Sequence, residues 1–209
     1  MTLAILEALE NIRGISAELD ALGYPRPALT STPLEGPDIL DQVESKTGIA
    51  VPRELRALLE NTGMVFVRMN TDGFALTLHG RPTCPQPFGG LADVLQGSWF
   101  WDDYRDEDDF PSASIRTLNT EFICFGHCEC NENAWDHFFY DRHGRFGLLH
   151  FDQDFRRADA WQHLLGLSTG ENPQPPLSLE ELLVPRLVAA RAAVAELLQH
   201  WKKFQDLED

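Results

Sequence analysis

The chain has 209 residues, 33 acidic side chains against 17 basic ones, and a formal net charge of −16. That length suits one domain with a sizeable core, with or without a helical extension, and the composition excludes a disordered or fibrous chain. The acid excess disfavours nucleic acid and anionic membrane surfaces and favours a basic protein partner, and no apolar run approaches a membrane span.

Residues 2–22 read as an amphipathic helix. Leu3, Leu6, Leu9, Ile12, Ile15, Leu19 and Leu22 recur at helical spacing, and Gly23 and Pro25 end it. This start has no basic region, and Glu7 and Glu10 interrupt its apolar positions, so it does not read as a secretory leader. Four prolines make residues 24–37 a loop or linker. A second helix spans 38–47 and closes at Gly48. In "IAVPRELRALLENTG", Pro52 suits a first helical position, Leu55, Leu58 and Leu59 form the stripe, and Gly63 supplies a left-handed cap.

"MVFVRM" and "FALTLH", joined by "NTDG", read as a hairpin. Residues 80–90 form a Pro- and Gly-rich loop. "LADVLQGSWFWDDY" starts as a short helix, and "RDEDDFPSAS" is an acidic loop. Strands are expected at 121–127, 135–141 and 145–151, with "DRHG" as a tight turn between the last two. "RADAWQHLLG" is a short helix and "STGENPQPP" a linker. Ser178 and Glu181 make a capping box for the last helix, which Pro185 is expected to divide near its start. From Leu187 to Phe204 an apolar stripe continues to the end of the chain. Helices, then strands, then helices, with no regular βαβ alternation, give an α+β fold with a mostly antiparallel sheet.

Three stretches carry a resemblance. They are "IAVPRELRALLENTG", "FICFGHCECNENAWDHFFYD" and "GRFGLLHFDQDFRRADAWQHLL". In that order they resemble the SUKH superfamily, in its Smi/Knr-like branch, over about residues 38–167. The resemblance implies a small α+β core with helices packed on a bent sheet. Bacterial members are often immunity proteins that bind and block a polymorphic toxin, commonly a nuclease or deaminase; eukaryotic members are regulatory interaction proteins. No catalytic residue carries over. The chain then divides into residues 1–37, an N-terminal helix and Pro-rich linker; 38–167, the core; and 168–209, a linker and a C-terminal helix packing on the core. The terminal helices and the acidic segment near 102–109 lie outside the family pattern.

The stretch from Phe122 to Phe155 is rich in Cys, His and acids. Without export its cysteines read as thiols. Zinc sites pair Cys or His at short spacings and repeat the pair; here the spacing is C-x3-C-x-C with no second pair along the chain. Cys124 is expected on a strand, and Cys128 and Cys130 in the following turn, where His127 could join them. The expectation is no metal and no cofactor. A Cys–His nucleophile (Cys128 or Cys130 with His137 or His143) lacks an orienting third group or oxyanion hole. Asp136, Asp141, Asp152 and Asp154 offer a hydrolase or cation site, but Asp141 reads more simply as a turn residue, Asp152 and Asp154 sit in the turn after a strand, and calcium-loop spacing is absent.

The favoured functional segment is "GSWFWDDYRDEDDF". Trp99, Trp101 and Tyr104 are aromatic anchors beside Asp102, Asp103, Asp106, Glu107, Asp108 and Asp109, which would meet Lys and Arg on a partner. The reading is a cytoplasmic, non-enzymatic immunity protein that occludes a basic toxin. A regulatory or scaffolding protein of the same fold is the alternative, and a metal-dependent enzyme using the Cys/His stretch is a third.

Overall fold

Leucine and isoleucine every three or four residues give the first helix, α1 (Leu3–Ala21), one apolar side, and Ile5, Leu9, Ile12 and Leu19 bury it. Ser16 falls on the same side. Its hydroxyl accepts the Leu29 amide at 3.0 Å, so a polar group on the apolar face holds the next element in place. The computed structural model describes residues 3–34, 39–69, 75–78, 89–90, 116, 119–131, 134–152, 166 and 177–207. Within them the chain runs α1, β1 (Leu29–Thr32), α2 (Ile39–Thr47), α3 (Arg53–Thr62), β2 (Met64–Arg68), β3 (Ala75–Leu78), β4 (Gly89–Gly90), β5 (Phe122–Asn131), β6 (Ala134–Asp141), β7 (Phe146–Asp152) and α4 (Leu179–Gln205).

The fold is α+β. One sheet has the order β1-β2-β3-β5-β6-β7, and every pairing is antiparallel. The β2–β3 hairpin forms as expected. The two-residue β4 pairs Cys124 and Ile123 of β5 on the edge that β3 uses at residues 126–128. One contiguous core joins α1, α2, α3, the sheet and α4, from Ile5 through Tyr140 to Leu198. No helix among the described residues is long and apolar enough to cross a membrane.

Strand β1 lies inside the stretch expected to be a loop. Its four residues are mostly exposed, so no alternating pattern marks it. It pairs only β2 among the described strands, and prolines at 25, 27 and 33 flank it, as suits a protected edge. Gly63 sets its distance from α3. With φ at 66° and ψ at −160°, Gly63 leaves helical geometry for a region that only glycine enters readily, rather than the left-handed helical cap expected. A Cβ there would stand 2.3 Å from the Thr32 carbonyl oxygen.

The expected capping box is present: the Glu181 amide donates to the Ser178 hydroxyl at 3.1 Å, and the Ser178 amide donates to Glu181 at 2.8 Å. Pro185, by contrast, does not divide α4, which runs unbroken through it. A proline there removes one amide donor and crowds the carbonyl four residues back. Leu179, Leu182, Leu183 and Leu187 are all fully buried around it, and that burial outweighs one lost hydrogen bond.

On the α2–α3 side, Glu44 Oε1 accepts both the Val51 amide (2.8 Å) and the Arg56 guanidinium (2.9 Å), which fixes the bend between the two helices. Nearby, Tyr140 is fully buried and its hydroxyl finds no partner among the described residues. Burial, and next the charge of Glu44, push that phenol above its usual range, with Arg56 opposing.

Two outcomes follow. Gly63→Ala should cost about 3 kcal/mol or more in denaturant unfolding, because strain and a backbone clash coincide. Tyr140→Phe should be as stable as the parent or more stable by about 1 kcal/mol, since it removes an unsatisfied buried hydroxyl. A phenol raised by folding supports stability below its ordinary pKa and loses it as pH climbs beyond. Parent stability should therefore fall above a pH of about 10, and the Phe variant should fall less steeply.

Candidate functional site

The aromatic–acid segment favoured by the sequence, Trp99, Trp101, Asp102, Asp103, Tyr104, Asp106, Glu107, Asp108 and Asp109, lies outside the described residues. Of the Cys/His stretch, residues 122–131 and 134–152 are described, and they differ from expectation at one decisive place. β5 continues to Asn131, so the backbone of Cys128 and Cys130 is strand rather than turn. Two register shifts interrupt its pairing with β6, one between Cys124 and Gly126 and one between Glu129 and Asn131.

The first shift decides which side chains share a face. Ile123 and Phe125 belong to the main core, and so does Cys128. Residues 123, 125 and 128 can share a face only if one extra residue is absorbed, which is what a bulge does. Phe122, Cys124 and His127 then alternate onto the opposite face, with His137, Phe139 and Leu149 from β6 and β7, and all of them are buried. On that face Phe139 stands edge-on to Phe122 at 5.3 Å and lies over Gly147, where no Cβ would fit. Cys124 and Cys128 are both buried and carry no disulfide, so Cys128 is not the turn thiol that was expected.

This geometry separates the expected groupings that involve Cys128; the Cys130 side chain lies outside what the structure describes. His127 and Cys128 are neighbours on a strand and point to opposite faces, so they cannot hold one ion together. His143 is exposed in the tight turn, well apart in sequence and face from Cys128. Among the described residues no three His, Cys, Asp or Glu side chains are gathered to hold a metal ion. The carboxylates also separate. Asp141 Oδ1 accepts the amides of His143 (2.8 Å) and Arg145 (2.9 Å), and the turn closes at Gly144 with φ of 74°. That is the turn role the sequence indicated. Asp136 faces the other way, and Asp154 lies outside the described residues.

Two clusters emerge that the sequence did not announce. In the first, Asp136 on β6 accepts from Arg186 of α4 through Nε (3.2 Å) and Nη2 (3.1 Å), and lies 2.7 Å from His150 Nδ1 on β7. Arg186 also donates to the Leu182 carbonyl at 3.1 Å and lies over the Phe138 ring. One carboxylate thus ties two strands to the C-terminal helix. The Asp136 side chain is 11% exposed, so its charge is largely withdrawn from water and depends on these partners. In the second cluster His127 and His137 stand directly opposite one another on β5 and β6, their ring centroids 6.3 Å apart, with Glu129 Oε1 3.6 Å from His127 Nε2. Neither shows in the sequence: residues 136 and 186 meet only through the packing of α4 on the sheet, and 127 meets 137 only across the β5–β6 register.

Comparison with known protein families, with curated proteins and with solved structures finds no match in any of the three.

Replacing Asp136 by Ala leaves Arg186 without its carboxylate in a part-buried place and should cost about 3 kcal/mol. Joining Asp136→Ala to Arg186→Met should recover part of that loss. Denaturant unfolding of the parent, the two single variants and the double variant measures the coupling. Additive losses would reduce the pair to a surface contact.

Proposed function

We propose that this protein is a cytoplasmic, non-enzymatic binding protein of the SUKH type that neutralises a basic toxin domain by occluding it. The observation that carries the reading is where the charge falls. Residues 102–109 alone hold six of the 33 acids against one of the 17 bases. The acid excess is densest at residues 102–109, directly after Trp99 and Trp101. Such an arrangement supports electrostatic steering toward Lys- and Arg-rich surfaces, with aromatic anchors for short-range contact.

The order of elements supports the family reading. A Pro-led helix closed by glycine runs straight into a strand (α3 to β2), and the antiparallel β5–β6–β7 follows. Helices share one core with a bulged, antiparallel sheet, which is compatible with the helices on a bent sheet that the resemblance implies. The neighbouring gene is the first source to examine for a partner, because immunity and toxin are made together in the family the chain resembles.

The test is co-purification with the product of the adjacent gene, then association kinetics at two salt concentrations. Replacing Asp106, Glu107, Asp108 and Asp109 by Asn or Gln should slow association, most at low salt, because rim charges act on the on-rate. Trp101→Ala should speed dissociation, with a loss of about 2 kcal/mol, and leave the melting temperature nearly unchanged. No complex with the neighbouring product would favour the regulatory alternative. Unchanged rates in the acid variants, with Trp101→Ala unfolding the protein, would make the segment structural.

A further inference from the structure

Helix α4 packs one side on the sheet and on α1, and its opposite side lies open to solvent. Glu181, Pro185, Val188, Ala192, Gln199 and Lys203 are all exposed there, and they follow one another at steps of three or four residues or their sum. That spacing sets them in one row along the helix, as on the seam of a helix pair. Val188, 55% exposed, lies on the row, and Leu207, 85% exposed, stands just beyond its end. We propose that this outer face of α4 is a self-complementary interface, on which a second copy of the chain packs its own α4 antiparallel across a two-fold axis at Ala192.

The charges fit a like partner. In a chain of net charge −16, residues 179–206 hold four acids (Glu180, Glu181, Glu196, Asp206) against four bases (Arg186, Arg191, Lys202, Lys203). Two copies can therefore meet along α4 without the repulsion that an acid-rich surface would bring. The signs are also sorted: Glu180 and Glu181 open the helix, and Lys202 and Lys203 close it. That order suits the helix's own dipole, but the dipole gives no reason for Pro185 and Val188 to stand exposed between the two ends. Glu181 and Lys203 each lie eleven residues from Ala192, so in an antiparallel pair centred there each Glu181 meets the other copy's Lys203. Glu181 holds Ser178 through Oε2, so Oε1 serves the lysine. The same register brings Leu207 toward the partly buried Leu177, and Val188 against Ala192 and Ala195. With only a methyl group at 192, the two axes can approach to about 8 Å. One helix pair buries less than the roughly 1,200 Å² of a standard interface, so the dimer is weak, with a Kd of about 100 μM. This contact is independent of toxin binding, so either proposal survives the failure of the other.

The experiment uses the full chain alone, in sedimentation velocity over a concentration series reaching about 1 mM, roughly ten times the expected Kd. A monomer that converts reversibly to a dimer is expected. Val188→Glu places a charge in the seam of each copy and should weaken the dimer at least about tenfold, and Lys203→Glu should weaken it about fivefold. Leu3→Glu changes an apolar residue of α1 that is 66% exposed, and it should leave the dimer as it is. All three positions are exposed, so the melting temperature of dilute protein should hold, which separates lost association from lost folding. Ala192→Cys gives an independent reading. At the two-fold axis the new thiols of two copies come within disulfide reach, and a thiol–disulfide buffer should join them into a covalent dimer. The parent chain treated alike controls for the native cysteines, of which Cys124 and Cys128 are buried. A chain that stays monomeric throughout, a dimer untouched by Val188→Glu or lost equally with Leu3→Glu, or an Ala192→Cys variant that crosslinks no faster than the parent, would overturn the interface.

Discussion

Strand β5 has to serve two buried faces at once, and it does so only by carrying one residue too many. Its core side chains stand at 123, 125 and 128, a spacing that a regular strand cannot present to one side. The bulge between Cys124 and Gly126 takes up the difference. Were it absent, every residue after Phe125 would change sides. Cys128 would leave the core, and His127 would enter it as a polar group among leucines. The position of the histidine pair and the burial of both thiols are therefore consequences of one inserted residue.

The helices are oriented on this sheet by a few polar ties set in apolar surroundings. Ser16 holds the β1 amide, Glu44 spans α2 and α3, and Asp136 fastens the sheet to α4. Such groups add less net stability than the leucines beside them, because each must first leave water. Their effect is on geometry. Apolar packing tolerates small slides of one element over another, whereas a carboxylate between two partners at 2.7 and 3.1 Å tolerates very little. The part-buried Asp136 also stands on the strand that supplies His137, so the tie to α4 steadies the sheet next to the histidine pair.

Much of this was readable in the residues. Helix α1, the Pro52–Gly63 helix, the 141–144 turn and the Ser178 capping box were all marked by local chemistry: a 3.6-residue period, a missing amide, a side chain that mimics a backbone partner. What escaped was decided at a distance. Strand β1 is polar and proline-flanked, and it becomes a strand because β2 offers it an edge. Pro185 was read by its local cost alone, while four buried leucines decide the helix. Of the site, the residue types were visible but their faces were not, since a bulge leaves no clear mark in a sequence. Asp136 with Arg186, and His127 with His137, meet only once the pairing is known.

At the far end of the molecule, the Leu22 carbonyl just past α1 accepts both Trp201 Nε1 at 3.0 Å and Gln205 Nε2 at 2.6 Å from α4. Tyr24 meets the same indole edge-on, and Lys202 reaches Glu18. Residues some 180 positions apart thus close the chain into a ring. Neither terminal helix can fray inward alone, because loosening one removes the acceptor or the donor that the other needs. The two helices form one cooperative unit, opening together rather than in sequence. The free energy of that joint opening, read from amide hydrogen exchange, belongs to the pair: α1 and α4 should carry one shared value despite their very different lengths.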